Sequence, residues 1–192
     1  MDLLIRRALP ADGAAVAAIY APYVLHTPVT FEETPLTAAE MGARIAETTA
    51  RYPWLVAEVD GAPLGYAYAC PHASRASYRW SVDVTVYLEA RVHRRGIGRA
   101  LYGRLLALLR QQGFAMAYAC ITQPNPASAG LHEALGFRHV GTQRNAGYKL
   151  GTWHAVGWWE LALTDPPPAR PPEPTPWPAL PPFTPVHVTL PD

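Results

Sequence analysis

The chain has 192 residues, of which 49% are hydrophobic and 16% charged, and its formal net charge is +1. That length suits one domain with a sizeable core, and the near-zero charge removes the broad attraction that nucleic-acid or anionic-membrane binding would use. No apolar run is long enough to span a bilayer, and the start, Met1-Asp2-Leu3-Leu4-Ile5-Arg6-Arg7, lacks the basic-then-apolar order of a signal peptide, so a cytoplasmic protein is expected.

Leu3 to Leu9 reads as a first strand. Asp12 can cap a helix that carries Val16, Ile19, Tyr20 and Tyr23 on one side. A loop from His26 to Pro35 follows. Thr37 and Glu40 have the spacing of a capping box for a second helix reaching about Thr48. Trp54 to Val59 and Leu64 to Ala69 flank the turn dipeptide Asp60-Gly61 and read as a hairpin. Ser81 to Leu88 is the next strand, and Ile97 to Gln112 a long helix that Gly113 ends. Ala115 to Ile121 is a further strand. Asn125 caps a helix with Pro126 in its first turn, running to Leu135. Two late strands are expected around His139–Tyr148 and Val156–Leu163, and no internal repeat is visible.

The body ends near Thr164, which divides the chain into a domain over 1–164 and a tail over 165–192. Twelve of the 21 prolines fall in that tail. Proline lacks an amide donor and favours polyproline II, so the tail is expected outside helices and sheet interiors, disordered or lying along the domain through Trp177 and Phe183. The two cysteines, Cys70 and Cys120, are far apart and lack metal-ligand spacing. They read as small buried residues of a reducing compartment, and no metal is expected.

The stretch His93-Arg94-Arg95-Gly96-Ile97-Gly98-Arg99 lies between an apolar strand and a long helix. Glycine admits close approach of the backbone, successive N–H groups point at phosphate oxygens, and the helix N-terminus adds partial positive charge. A Walker loop needs Gly-Lys-Ser/Thr, and Arg99-Ala100 follow Gly98 instead. A dinucleotide fingerprint needs a third glycine where Leu101 stands. What remains resembles the Gln/Arg-x-x-Gly-x-Gly/Ala loop of the GCN5-related N-acetyltransferases, with His93 at the Gln/Arg position. In that family the loop holds the pyrophosphate of acetyl-coenzyme A. A second stretch, Asn125-Pro126-Ala127-Ser128 through Leu135-Gly136-Phe137, resembles the same family's Asn-x-x-Ser…Leu-Gly-Phe pattern.

The resemblance implies an α/β (α+β) fold. Its mixed central sheet would have about seven strands with splayed middle members, flanked by about four helices. It implies that acetyl-CoA is held by residues 93–99, by backbone groups of Val86, Tyr87 and Leu88, and by Asn125 and Ser128. His132 lies one helical turn past Ser128 and shares its face, which makes it either a donor to the leaving thiolate or a satisfied structural histidine.

Arg51 to Val59, Tyr78 to Tyr87, Leu131 to Gly136 and Gly147-Tyr148-Lys149 resemble the phosphinothricin N-acetyltransferases more narrowly, over roughly residues 3–163. Relatives in that group act on methionine sulfoximine and sulfone. The implied substrate is a small amino acid with a second acidic or sulfur–oxygen head. Arg75 would grip an anionic group, Tyr78 and Tyr87 would donate hydroxyls, and Phe31 would close the pocket. The family has a lysine where this chain has Ala73, and its catalytic glutamate aligns with Asp83, whose side chain is shorter by about 1.5 Å.

Asp83 is therefore expected as general base, acting through a water and raised by burial beside Trp80 and Tyr87; the alternative is an ion pair with Arg75. A backbone N–H near Tyr87 or Leu88 would stabilise the oxyanion, and transfer would be direct, in a ternary complex. The resemblance also implies a homodimer. Open alternatives are acetylation of another amine, such as a peptide N-terminus or an antibiotic, and a non-catalytic module that senses coenzyme A.

Overall fold

The computed structural model describes residues 2–190. Alternation of apolar and polar side chains over Asp2–Arg7 makes strand β1, with Leu3 and Ile5 fully buried. Helices α1 (Gly13–His26) and α2 (Ala38–Thr49) follow. Strands β2 (Trp54–Val59) and β3 (Ala62–Pro71) form the expected hairpin, and Asp60 and Gly61 take the positive φ that its turn requires. Then come β4 (Ser81–Leu88), α3 (Ile97–Gln112), β5 (Met116–Gln123), α4 (Pro126–Ala134), β6 (Arg138–Lys149), β7 (Thr152–Ala162) and β8 (Val186–Thr189).

Two expectations are corrected. Among the described residues the sheet has eight strands where about seven were expected, in the order β6-β7-β5-β4-β3-β2-β1-β8. The additional strand comes from the tail: Val186-His187-Val188-Thr189 is free of proline and pairs antiparallel with β1 at the sheet edge, where proline-flanked segments are tolerated. Asp12 precedes α1 but its side chain does not cap it. Its carboxylate instead takes the Arg6 guanidinium at 2.7 and 2.8 Å and the Leu9 amide at 2.7 Å. Thr37 does cap α2, accepting from the Glu40 amide at 3.2 Å while the Glu40 carboxylate accepts from the Thr37 amide at 2.8 Å.

The helices cover different faces. Tyr87 on β4 packs against Tyr20 and Tyr23 of α1. Gly98, at the start of α3, approaches the side chains of Val86 and Leu88. Neighbouring strand residues point to opposite faces, so α1 lies on one side of the sheet and α3 on the other.

One junction positions the site. β4 and β5 are the parallel pair, and they pair only over Ser81–Asp83 and Met116–Tyr118. Beyond Asp83 and Tyr118 the two strands part, as the sequence resemblance implied.

The tail does not leave the body. Trp177 is buried, with the Arg7 guanidinium 5.0 Å from its ring centre. Gln112 Nε2 donates to the carbonyls of Arg51 and Thr175, each at 2.8 Å. Phe183 packs against the core edge.

Candidate active site

The parted strands enclose a cleft of about 770 Å³. Val84 to Leu88 form one wall, Ala119 to Thr122 the other, and the start of α4 closes one end. Each wall keeps its ladder to its outer neighbour, but the two facing edges do not pair with each other. His93, Arg94, Gly96, Ile97, Gly98 and Arg99 complete the lining. Arg95 is exposed and is not part of it.

Gly96 caps α3 at φ +82°, and Arg94 also has positive φ, so this turn bends the basic loop across the helix start. The first helical bond runs from Ala100 N to Gly96 O, which leaves the amides of Ile97, Gly98 and Arg99 free of helical acceptors. The first turn carries no acidic side chain. A Cβ on Gly98 would come within 3.2 Å of Leu131 Cδ2. Orphan amides, partial positive charge and a glycine-smooth floor suit a pyrophosphate, and the unpaired strand edges suit an extended amide-bearing arm. The site therefore fits acetyl-CoA.

At α4, Asn125 Oδ1 accepts from the Ser128 amide at 3.1 Å. That bond fixes the helix start and leaves the Asn125 amide nitrogen as a donor at the cleft. His132 is buried, and both of its ring nitrogens are engaged. Nδ1–H donates to the Ser128 carbonyl at 2.7 Å, and Nε2 accepts from the Tyr102 hydroxyl at 3.1 Å. Burial pulls its pKa below the usual 6.5, so the ring is neutral. His93 Nε2 lies 2.9 Å from the Tyr23 hydroxyl, which also donates to the Leu88 carbonyl.

Asp83 stands at the last position of β4 that pairs with β5, opposite Tyr118 there and Cys70 of β3. Its partner is His72, with Nδ1 donating to Oδ1 at 2.6 Å, and not Arg75. Burial raises the carboxyl above its usual 3.8, and the His72 bond opposes that rise. Trp80 does not contribute: its indole N–H donates to the Pro172 carbonyl, and Arg79 covers its ring at 3.9 Å.

Tyr78 is exposed and meets the His72 ring edge-on at 5.9 Å. Arg75 is exposed and begins the 3-10 turn Ala76–Tyr78. Tyr87 packs among Tyr20, Tyr23 and Tyr66. Phe31 lies against Gly147, where any Cβ would sit 2.5 Å from its ring. The cysteines are not the buried pair that was expected, since Cys120 is exposed and Cys70 half-buried; partial desolvation still pushes the Cys120 thiol up to about 11 and the Cys70 thiol up to about 12, so neither is a nucleophilic thiolate near neutrality.

Four contributors were not anticipated. They are His72, its stacking partner Tyr118, and two cations, Arg44 and Lys149. Arg44 pairs with Glu32 at 2.8 Å, and the buried Lys149 holds the carbonyls of Thr30 and Glu32. Only the pairing of β3 with β4 brings His72 to Asp83, and nine irregular or 3-10 residues between those strands hide that register.

A family model described as an acetyltransferase (GNAT) domain matches residues 5–158. The chain belongs to the GNAT acetyltransferases. Phosphinothricin N-acetyltransferase of Streptomyces viridochromogenes is 45% identical over 170 residues, covering 88% of this chain and 93% of that one. The L-methionine sulfoximine/L-methionine sulfone acetyltransferase of Salmonella typhimurium is 33% identical over 167 residues, covering 85% and 96%. Among solved structures, a GNAT superfamily phosphinothricin acetyltransferase of Sinorhizobium meliloti in complex with AcCoA superposes with a TM-score of 0.84. It is 36% identical, with coverage of 88% and 92%. The protein is an N-acetyltransferase enzyme, and acetyl-CoA is its co-substrate.

Proposed function

We propose that the protein acetylates the α-amine of a small amino acid of the phosphinothricin, methionine sulfoximine or methionine sulfone type, by direct transfer in a ternary complex. One observation carries this reading. Asp83 lies where β4 and β5 part, one residue before Val84, where the lining of the cleft begins on that strand. The names of the relatives supply the substrate type.

Acetyl-CoA supplies the acyl group as a thioester. His93, Arg94 and the 96–99 turn bind its phosphates, Val86, Tyr87 and Leu88 align its arm by backbone pairing, and Asn125 and Ser128 fix its far side. Proton removal from the amine is centred on Asp83 and the His72 ring bonded to it, at the point where the two strands part. Arg75 and Tyr78 bind the substrate's anionic or sulfur–oxygen head, Phe31 closes over its side chain, and Tyr87 walls the pocket from below. His132 acts by positioning Ser128 and Tyr102 beside the cleft, since both its nitrogens are engaged. The working form is a cytoplasmic homodimer, in which a second copy covers the exposed Val140, Tyr148, Leu150 and Trp153 of the β6–β7 hairpin.

Steady-state turnover of acetyl-CoA with a panel of amino-acid sulfones, sulfoximines, phosphinothricin, peptides and polyamines tests the reading. Saturable turnover with the first three is expected. Turnover confined to peptides or polyamines would replace the substrate class, and tight acetyl-CoA binding without turnover would favour a sensor module.

A further inference from the structure

We propose that His72 is the group that takes the proton from the attacking amine, and that Asp83 is the residue that positions it. This rests on the reading that the site acetylates an amine, and it changes which atom does the chemistry.

The geometry has three parts. The carboxylate oxygen Oδ1 of Asp83 is 2.6 Å from His72 Nδ1, so an ionised Asp83 fixes the tautomer with the proton on Nδ1. The imidazole is clamped as a plane. It stacks on Tyr118 with ring centres 4.3 Å apart and 25° between planes, and Tyr78 and Trp158 meet it edge-on at 5.9 and 6.0 Å. Finally, Nε2 has no hydrogen-bond partner among the described residues, and the side chain is 22% exposed. A bare lone pair on a rigid, partly open ring is what a general base requires.

Aspartate is a short carboxylate whose own reach from β4 is small. An imidazole bonded to it through Nδ1 places the accepting nitrogen, Nε2, a ring's width beyond the carboxylate. The neighbours do not compete for the proton at neutral pH. Burial raises the thiols of Cys70 and Cys120 to about 12 and about 11, and raises the Tyr118 phenol as well. Glu160, opposite Tyr118 in the sheet, is paired with Arg138 at 2.6 Å.

The proton balance closes. Nε2 takes one proton from the substrate ammonium, and the ion pair with Asp83 stabilises the imidazolium. The freed nitrogen lone pair forms the C–N bond as the C–S bond breaks. The second nitrogen proton passes to the leaving thiolate, and His72 then returns its own to water.

The test uses the full-length enzyme. His72→Phe keeps the stack on Tyr118 and removes the base. It is expected to lower kcat/KM for the amine by about 10²- to 10⁴-fold, the usual contribution of a general base. The Kd for acetyl-CoA should stay within twofold. Asp83→Asn should fall comparably, and the double variant should fall no further, because the two act as one unit.

Long-range nitrogen–proton NMR of the free enzyme at neutral pH should show Nδ1 protonated and Nε2 bare. His72→Phe retaining more than half of kcat/KM would overturn the proposal, as would a tautomer protonated on Nε2. The tautomer needs no substrate, so it still decides the proposal if every amine in the panel fails and the substrate assignment falls alone.

Discussion

His132 shows how a single side chain links burial to pH. Its ring is neutral because burial disfavours the charged form, and the bonds to Ser128 and Tyr102 use both nitrogens in one tautomer. The folded pKa lies below the usual 6.5, so between the two values the unfolded chain binds more protons than the folded one. Stability from this residue is complete above pH 6.5 and is lost as pH falls toward the folded pKa. One proton sets a ceiling of about 1.4 kcal/mol per pH unit. His132→Gln should therefore flatten the acid side of the stability curve between pH 7 and 5, beside an overall loss of about 1–3 kcal/mol from the broken bonds. Urea midpoints across that range check this. An unchanged slope would mean that the ring is not held neutral.

At the level of elements, the segment between α1 and α2 is the part of the site most dependent on tertiary contacts. It has no regular structure over 27–37 and carries Phe31. Lys149, at the end of β6, donates to the carbonyls of Thr30 at 2.7 Å and Glu32 at 2.8 Å. Arg44 of α2 holds the Glu32 carboxylate, and the Tyr20 hydroxyl meets Thr30 Oγ1 at 2.6 Å. Lys149→Met should release two carbonyls and let Phe31 drift from Gly147, raising KM for the amine about tenfold, the equivalent of about 1.4 kcal/mol. Acetyl-CoA affinity should not change. An unaltered amine KM would show that the loop needs no such tether.

The contrast with the elements that the sequence made legible is physical. The Thr37–Glu40 box, the Gly113 stop, the Asn125 cap and the Asp60-Gly61 turn are all settled within a few residues, so their signals are local. Asp12 looked like a cap and is not one, because Arg6 outcompetes the helix amides for its carboxylate. His72 and Lys149 act across sheet register and loop packing, which no window of sequence encodes. The glycine-paired loop and the Asn125 helix were readable as a cofactor site because each carries its own backbone signature.

For the whole molecule, the question is whether the tail is cargo or framework. Its composition argued for an extended ribbon, and much of it is one. The proline-free Val186–Thr189 nevertheless closes the exposed edge of β1, and an open edge strand is a liability in any sheet. Trp177 is 4% exposed and donates its backbone amide to the Arg51 carbonyl. Upstream, the Pro172 carbonyl accepts from the Trp80 indole at 2.7 Å, and Glu173 pairs with Arg79 at 2.6 Å. Those two residues directly follow Tyr78, so the tail holds the segment that carries Arg75, Tyr78 and His72. Trp177→Ala should cost about 3–5 kcal/mol, the range for emptying a buried indole site. Truncation after Thr164 should cost more than Trp177→Ala alone, because it also bares β1. It should raise KM for the amine through the loosened 72–80 segment. Urea denaturation and amine saturation curves on the full-length and truncated chains check both effects. A truncated chain with the same midpoint and the same KM would mean that the ribbon rests on the domain without holding it.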